Sequence, residues 1–149
     1  MIEGETLDDV RRRAAKGSAF DQDQIGAFLA TGHQGICEQD EVEARYWYLE
    51  AVKQGYIDSK WNLGTMLIGG EGGPKNIEKG MFLIEQAAAE GQYSACGFLG
   101  DIYEVGGYGK SPDASLSRRW REEADRIRSI DGADLPEFGA LLPDFELPG

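Results

Sequence analysis

Three consecutive residues, Gly109-Lys110-Ser111, spell the end of a phosphate-binding loop. Such a loop needs Gly-x-x-x-x-Gly-Lys-Ser/Thr, so that backbone N–H groups cradle the phosphates ahead of the lysine. Its first glycine would fall where the chain has Glu104, whose carboxylate repels phosphate. The stretch is therefore read as a loop without nucleotide chemistry. His33 and Cys37 are spaced like two metal ligands, but structural zinc takes four nitrogen or sulfur ligands. His33 is the only histidine, and Cys37 and Cys96 are the only cysteines, with no CxxC spacing. No metal or cofactor is expected, and both cysteines are read as free thiols of a cytoplasmic protein. No serine or cysteine has a base near it in sequence, so nucleophilic catalysis lacks its pair. Carboxylates are abundant, but no motif places two of them together, and solvated helix faces account for them. The reading is of a binding protein, not an enzyme.

What must be positioned is therefore a surface, and an internal repeat describes it. Leu63-Gly64 matches Leu99-Gly100, and Gly70 matches Gly106, at an offset of 36 residues. Ile25-Gly26 and Gly32 stand in the same roles further upstream. The segments "YWYLEAVKQG" and "FLIEQAAAEG" end at Gly55 and Gly91, again 36 apart, and "RRRAAKG" ends a partial unit at Gly17. The steps Gly17 to Gly26, Gly55 to Gly64 and Gly91 to Gly100 are each nine residues. Each unit thus reads as a helix, a glycine-rich turn, a second helix and a tight turn. "GGYGKSPDAS" occupies the place of "GGEGGPKNIE", the turn inside a unit. Asn76 and Asp113 suit helix N-caps, and Pro112 fixes the break. Trp47, Leu83 and Trp120 read as core, as does the Leu63/Leu67 pair at i and i+4. Gly26, Gly64 and Gly100 fall in mid-helix, where glycine costs about 1 kcal/mol relative to alanine. Close packing of the two helices of a pair explains the repetition.

These residues resemble the Sel-like repeat family, a relative of the tetratricopeptide repeat. The run Leu99-Gly100-x-x-Tyr103-x-x-Gly106 matches the first part of the family's pattern, and Ala87-Ala88-Ala89-Glu90-Gly91 matches its last part. The likeness weakens in the first unit, whose turn, "HQGICEQDE", is longer. It implies an all-α protein: a right-handed α-α superhelix of about three and a half helix-turn-helix repeats over residues 1–130. A polar last helix, "SLSRRWREEADRIRS", caps it. Residues 131–149 match no repeat and carry five acids, three prolines and no Lys or Arg. Their apolar residues, among them Leu135, Phe138, Leu142 and Phe145, lead us to expect an irregular tail that packs on the solenoid or on a partner.

By analogy with tetratricopeptide repeats, the first helix of each pair lines a concave face. Counting from the mid-helix glycines gives Asp23 with Phe20, Ala27 and Ala30. The next helix supplies Asp58, Trp61, Thr65 and Ile68, and the third supplies Asp101 and Glu104 with Ser94 and Gly97. Trp61 is read either as an anchor for a partner or as packing against a neighbouring helix. Arg11, Arg12 and Arg13 read as a solvated helix face.

The net charge of −12 disfavours nucleic acid and anionic membrane and favours a basic protein partner. No apolar run approaches the length of a membrane span, and no apolar segment follows a basic one at the N-terminus, so no secretory signal is expected. A monomer is expected. The family's known settings add a bacterial immunity protein that neutralises a secreted effector toxin. The other reading is a signalling or assembly adaptor. A DNA mimic fits less well, because the acids are mixed with 15 basic residues.

Overall fold

A computed structural model describes residues 4–130. Among them the chain forms α1 (Leu7–Ala15), α2 (Ala19–Thr31), α3 (Glu41–Lys53), α4 (Ile57–Gly69), α5 (Ile77–Ala89), α6 (Tyr93–Val105) and α7 (Ala114–Ser129). The tail expected over 131–149 lies outside the described residues. Each helix packs on its neighbours in sequence, most extensively within the pairs α2–α3, α4–α5 and α6–α7. Side chains link α2 to α4 and α4 to α6, and Arg11 on α1 pairs with Glu43 on α3. The helices thus form two layers: an even layer of α2, α4 and α6, and an odd layer of α1, α3, α5 and α7.

Local chemistry starts and stops each helix. Asp40, Asn76 and Asp113 cap α3, α5 and α7, each accepting the backbone N–H three residues on at 3.0 Å. The backbone N–H of each cap also donates to the preceding helix: to Leu29 O, Leu67 O and Tyr103 O at 2.7, 2.8 and 2.7 Å. Asn76 and Asp113 behave as the sequence led us to expect. Asp40 plays the same role in the longer first turn, where only the structure identifies it. After α4, Gly70 turns the chain at φ 75, a left-handed backbone that glycine adopts without strain. His33 and Cys37 pair through their backbones, with N···O distances of 2.9 and 3.0 Å, so their spacing belongs to a tight turn.

The mid-helix glycines are where the paired helices touch. A Cβ on Gly26 would lie 2.8 Å from the Tyr48 ring, and one on Gly100 would lie 2.7 Å from Arg121 Cγ. At Gly64 it would meet Ile84 Cγ1 at 2.8 Å and the Gly80 carbonyl oxygen at 2.9 Å. Gly80 returns the contact, since its own Cβ would lie 2.7 Å from Gly64 O. In the third pair the facing residue is Ser117, whose buried hydroxyl donates to Gly100 O at 2.7 Å. Around these contacts lie two cores. One joins Val10, Ile25, Trp47, Tyr48, Leu63 and Leu83; the other joins Met81, Ile84, Cys96, Leu99 and Trp120. Helix α5 contributes to both and holds the stack together. Both thiols are free, and burial first of all pushes that of Cys96 up to about 12.

Charged side chains tie the long turns back to the odd layer. Arg45 Nη2 on α3 donates to Pro74 O at 2.6 Å. One unit later Lys110 Nζ sits 2.5 Å from Glu85 on α5, and the Glu85 side chain is only 2% exposed. Glu85 replaces Leu49 of the preceding unit. Burial alone would lower the Lys110 pKa, but the Glu85 carboxylate outweighs it and the net direction is up. Lys110 is therefore the counter-ion of a buried acid. The arginine run is also paired: Arg11 with Glu43, Arg12 with Asp9, and Arg13 with Glu5 and Asp21. The run faces solvent, as expected from sequence, and its charges are in addition met by these surface ion pairs.

Two predictions follow from these contacts. Gly64→Ala destabilises by about 1–3 kcal/mol, because its Cβ strikes a carbonyl that cannot rotate away. Gly97→Ala, where a Cβ meets nothing within 4 Å, stabilises by up to about 1 kcal/mol through helix propensity. Chemical denaturation of the two variants checks the opposite signs. Lys110→Ala strands the Glu85 carboxylate and costs about 2 kcal/mol or more. Adding Glu85→Leu, the residue of the preceding unit, restores most of that loss in the same measurement.

Candidate interaction surface

The even layer carries the residues singled out from the sequence, and the structure sorts them into three groups. The first is polar and lies between α2 and α4. Asp23 Oδ1 accepts the buried Ser59 hydroxyl at 2.6 Å and Asn62 Nδ2 at 3.1 Å. Exposed Asp58 accepts a longer bond of 3.4 Å from Gln92 Nε2, at the start of α6. Burial, above all, raises the Asp23 pKa; the bonds from Ser59 and Asn62 oppose this, and the charge of Asp58 adds to it. A raised folded value means that Asp23 contributes stability at low pH and that this contribution fades as pH rises through the folded value. Tyr48 and Tyr56 are shifted upward too, first by burial and then by the nearby Asp23 charge.

The second group is aromatic. Trp61 on α4 meets Phe98 on α6 edge to face, with ring centroids 5.7 Å apart. Phe98 in turn stacks on Tyr108 of the α6–α7 turn at 6.0 Å. Trp61 and Phe98 are half-buried and Tyr108 is exposed. Trp61 thus packs on the neighbouring helix, as one of its two readings expected, while part of its side chain faces solvent. Phe98 and Tyr108 were not singled out from the sequence. Phe98 sits one position beyond Gly97, the residue that aligns with Trp61, so counting from the glycines passes it by.

The third group is at the end of the stack. Asp101 and Glu104 on α6 are exposed, and both bind Arg121, which reaches across from α7 over Gly100. One guanidinium thus meets two exposed carboxylates, which leaves a net negative charge at this end. Thr65 lines a 370 Å³ hollow between α2 and α4 with Ala27, Ala30 and Asn62, and its hydroxyl donates to Asn62 O at 2.9 Å. Ile68 turns toward α5, half-buried against the second core and close to Gly80. Outward on the even layer and the turn after it thus lie exposed Asp58, Asp101, Glu104 and Tyr108 and half-buried Trp61 and Phe98, with the Asp23 cluster at one side. Among the described residues no group of three or more His, Cys, Asp or Glu is arranged to hold a metal ion. No helix among them is long and apolar enough to cross a membrane.

Comparison with known proteins agrees with this architecture. The Sel1 repeat model matches residues 22–56, 57–92 and 94–124. A Sel1 repeat protein from Oxalobacter formigenes is 22% identical with a TM-score of 0.73, and the match covers 83% of this chain and 92% of that one. The protein c5321, a protective antigen present in uropathogenic Escherichia coli strains and displaying an SLR fold, is 27% identical with a TM-score of 0.73. That match covers 83% of this chain but only 26% of c5321. No curated protein matches the chain. With three repeat matches in register with the helix pairs, stacked as the right-handed α-α superhelix of its neighbours, the chain belongs to the Sel1 repeat family.

Proposed function

We propose that this chain is an immunity-type inhibitor, a protein that captures one basic, secreted effector toxin and neutralises it by direct binding. Sel1 repeats are protein–protein interaction modules, and a short stack offers little surface, which suits a single partner better than a multi-component scaffold. The observation that carries the reading is the even-layer patch itself. Trp61 and Phe98 offer half-exposed rings beside the exposed Asp58 carboxylate, in a chain with a net charge of −12. Tryptophan at the centre of an interface contributes more to affinity than most residues, and surface carboxylates speed encounter with a basic protein. Arg and Lys side chains also bind aromatic faces through cation–π attraction. Inhibition by occupying the partner requires no catalytic group, cofactor or metal from this chain.

The test uses a toxin encoded beside this protein's gene, purified and mixed with the full chain. A 1:1 complex is expected, with an association rate that falls about ten-fold or more between low salt and roughly 0.5 M salt. Trp61→Ala should weaken the complex by about 2 kcal/mol or more, and Asp58→Asn should chiefly slow association. Toxin-expressing cells should survive only with the unaltered chain. An association rate indifferent to salt, or a complex indifferent to Trp61, contradicts the proposal. A ternary assembly in which the partner stays active would identify an adaptor instead.

A further inference from the structure

The hollow between α2 and α4 differs from the rest of the even layer in its lining. Ala27, Ala30, Tyr48, Thr65 and Met66 form the walls of its 370 Å³. Asn62 lines it too and joins it to the Asp23 cluster. Two carboxylates complete the lining: Glu41 at the start of α3 and Glu71 in the α4–α5 turn. The turn brings them to one place because Gly72 lies against the Glu41 carbonyl oxygen, where a Cβ would not fit. One Glu41 oxygen accepts Gln39 Nε2 at 3.1 Å, and neither acid forms an ion pair among the described residues. Arg45 and Lys75, cations near them in sequence, do not line the hollow, and Arg45 donates to Pro74 O. The charge of the lining is therefore negative and unspent. It is also particular to this unit. The next unit has Ile68 where α2 has Ala30, Ile77 where α3 has Glu41, and Gly107 where the turn has Glu71.

We propose that this hollow receives one cationic side chain of the partner, an arginine. Its stem would lie against Ala27, Ala30 and Met66, and its guanidinium would bond Glu41 and Glu71. Long cationic side chains bury their stems on apolar surface while the charged head stays at a polar rim. A guanidinium presents a planar fork of donors that can serve two carboxylates at once, whereas an ammonium is a point charge. The inference rests on the basic-partner reading in taking its occupant from a partner, and it adds the residue type and the place. The footprint then extends from Trp61 across Asn62 to the groove between α2 and α4.

Methyl-detected nuclear magnetic resonance on the full chain tests this without any toxin. The probe is N-acetyl-arginine methylamide, with the neutral citrulline analogue as its control. Saturable shifts are expected at the methyls of Ala27, Ala30, Thr65 and Met66, but not at buried Ala95. The citrulline analogue should bind about ten-fold or more weakly, as should the arginine probe to Glu41→Gln/Glu71→Gln. Ala30→Ile, the residue of the next unit, fills the hollow and should abolish the shifts while both acids remain. Shifts that never saturate overturn the proposal, as do shifts centred on Asp101 and Glu104. Equal binding of the neutral analogue, or binding that survives both variants, overturns it too. In a complex with the toxin, Ala30→Ile should weaken affinity about ten-fold. A complex that forms with its expected salt dependence yet ignores both variants leaves the inhibitor reading standing and overturns this occupant.

Discussion

Backbone meets backbone at Gly64 and Gly80, and the rest of the stack is arranged around that approach. Each glycine leaves space that the other's carbonyl fills, so α4 and α5 lie closer than any side chain would permit. Gly26 against the Tyr48 ring and Gly100 against Ser117 and Arg121 repeat the device in the flanking pairs. A glycine in mid-helix weakens the isolated helix by about 1 kcal/mol; the packing that it admits compensates, and it does so only if the pair forms. The helices therefore depend on their partners, which ties local structure to the solenoid. The even-layer surface is a consequence, because pairing fixes the face that α2, α4 and α6 turn outward.

Much of this was legible in the sequence, because glycine positions are set by geometry and survive when neighbouring residues vary. The 36-residue offset located the pairs, and Asn76 and Asp113 located their second helices. The surface was less legible. Thr65 and Ile68 stand at positions that counting assigns to the open face, yet the Thr65 hydroxyl is held by its own helix and Ile68 leans into α5. Asp101 and Glu104 look like free acids until Arg121 arrives from α7, a contact between residues 20 and 17 positions apart. No pattern in one helix announces a charge from the next.

Lys110 makes the same point about chemistry. Read with its neighbours, it imitates the lysine of a phosphate loop; in the fold, its Nζ balances a carboxylate buried where the preceding unit has leucine. Its apparent motif is a by-product of a glycine-rich turn that also needs a cation. The acidic excess is likewise uneven in effect. Arg11 and Arg13 pair with Glu43 and Asp21 and Arg121 is shared by exposed Asp101 and Glu104, whereas no cation pairs with exposed Asp58 among the described residues.

The most direct measurement of the account is a set of nuclear Overhauser contacts in solution on the unaltered chain. The Hα protons of Gly64 should show strong contacts to Ile84 side-chain protons and to Gly80, with those of Gly26 contacting the Tyr48 ring in the same way. Helices that form normally but lack these contacts would contradict it, because pairing would then rest on something other than the glycine approach.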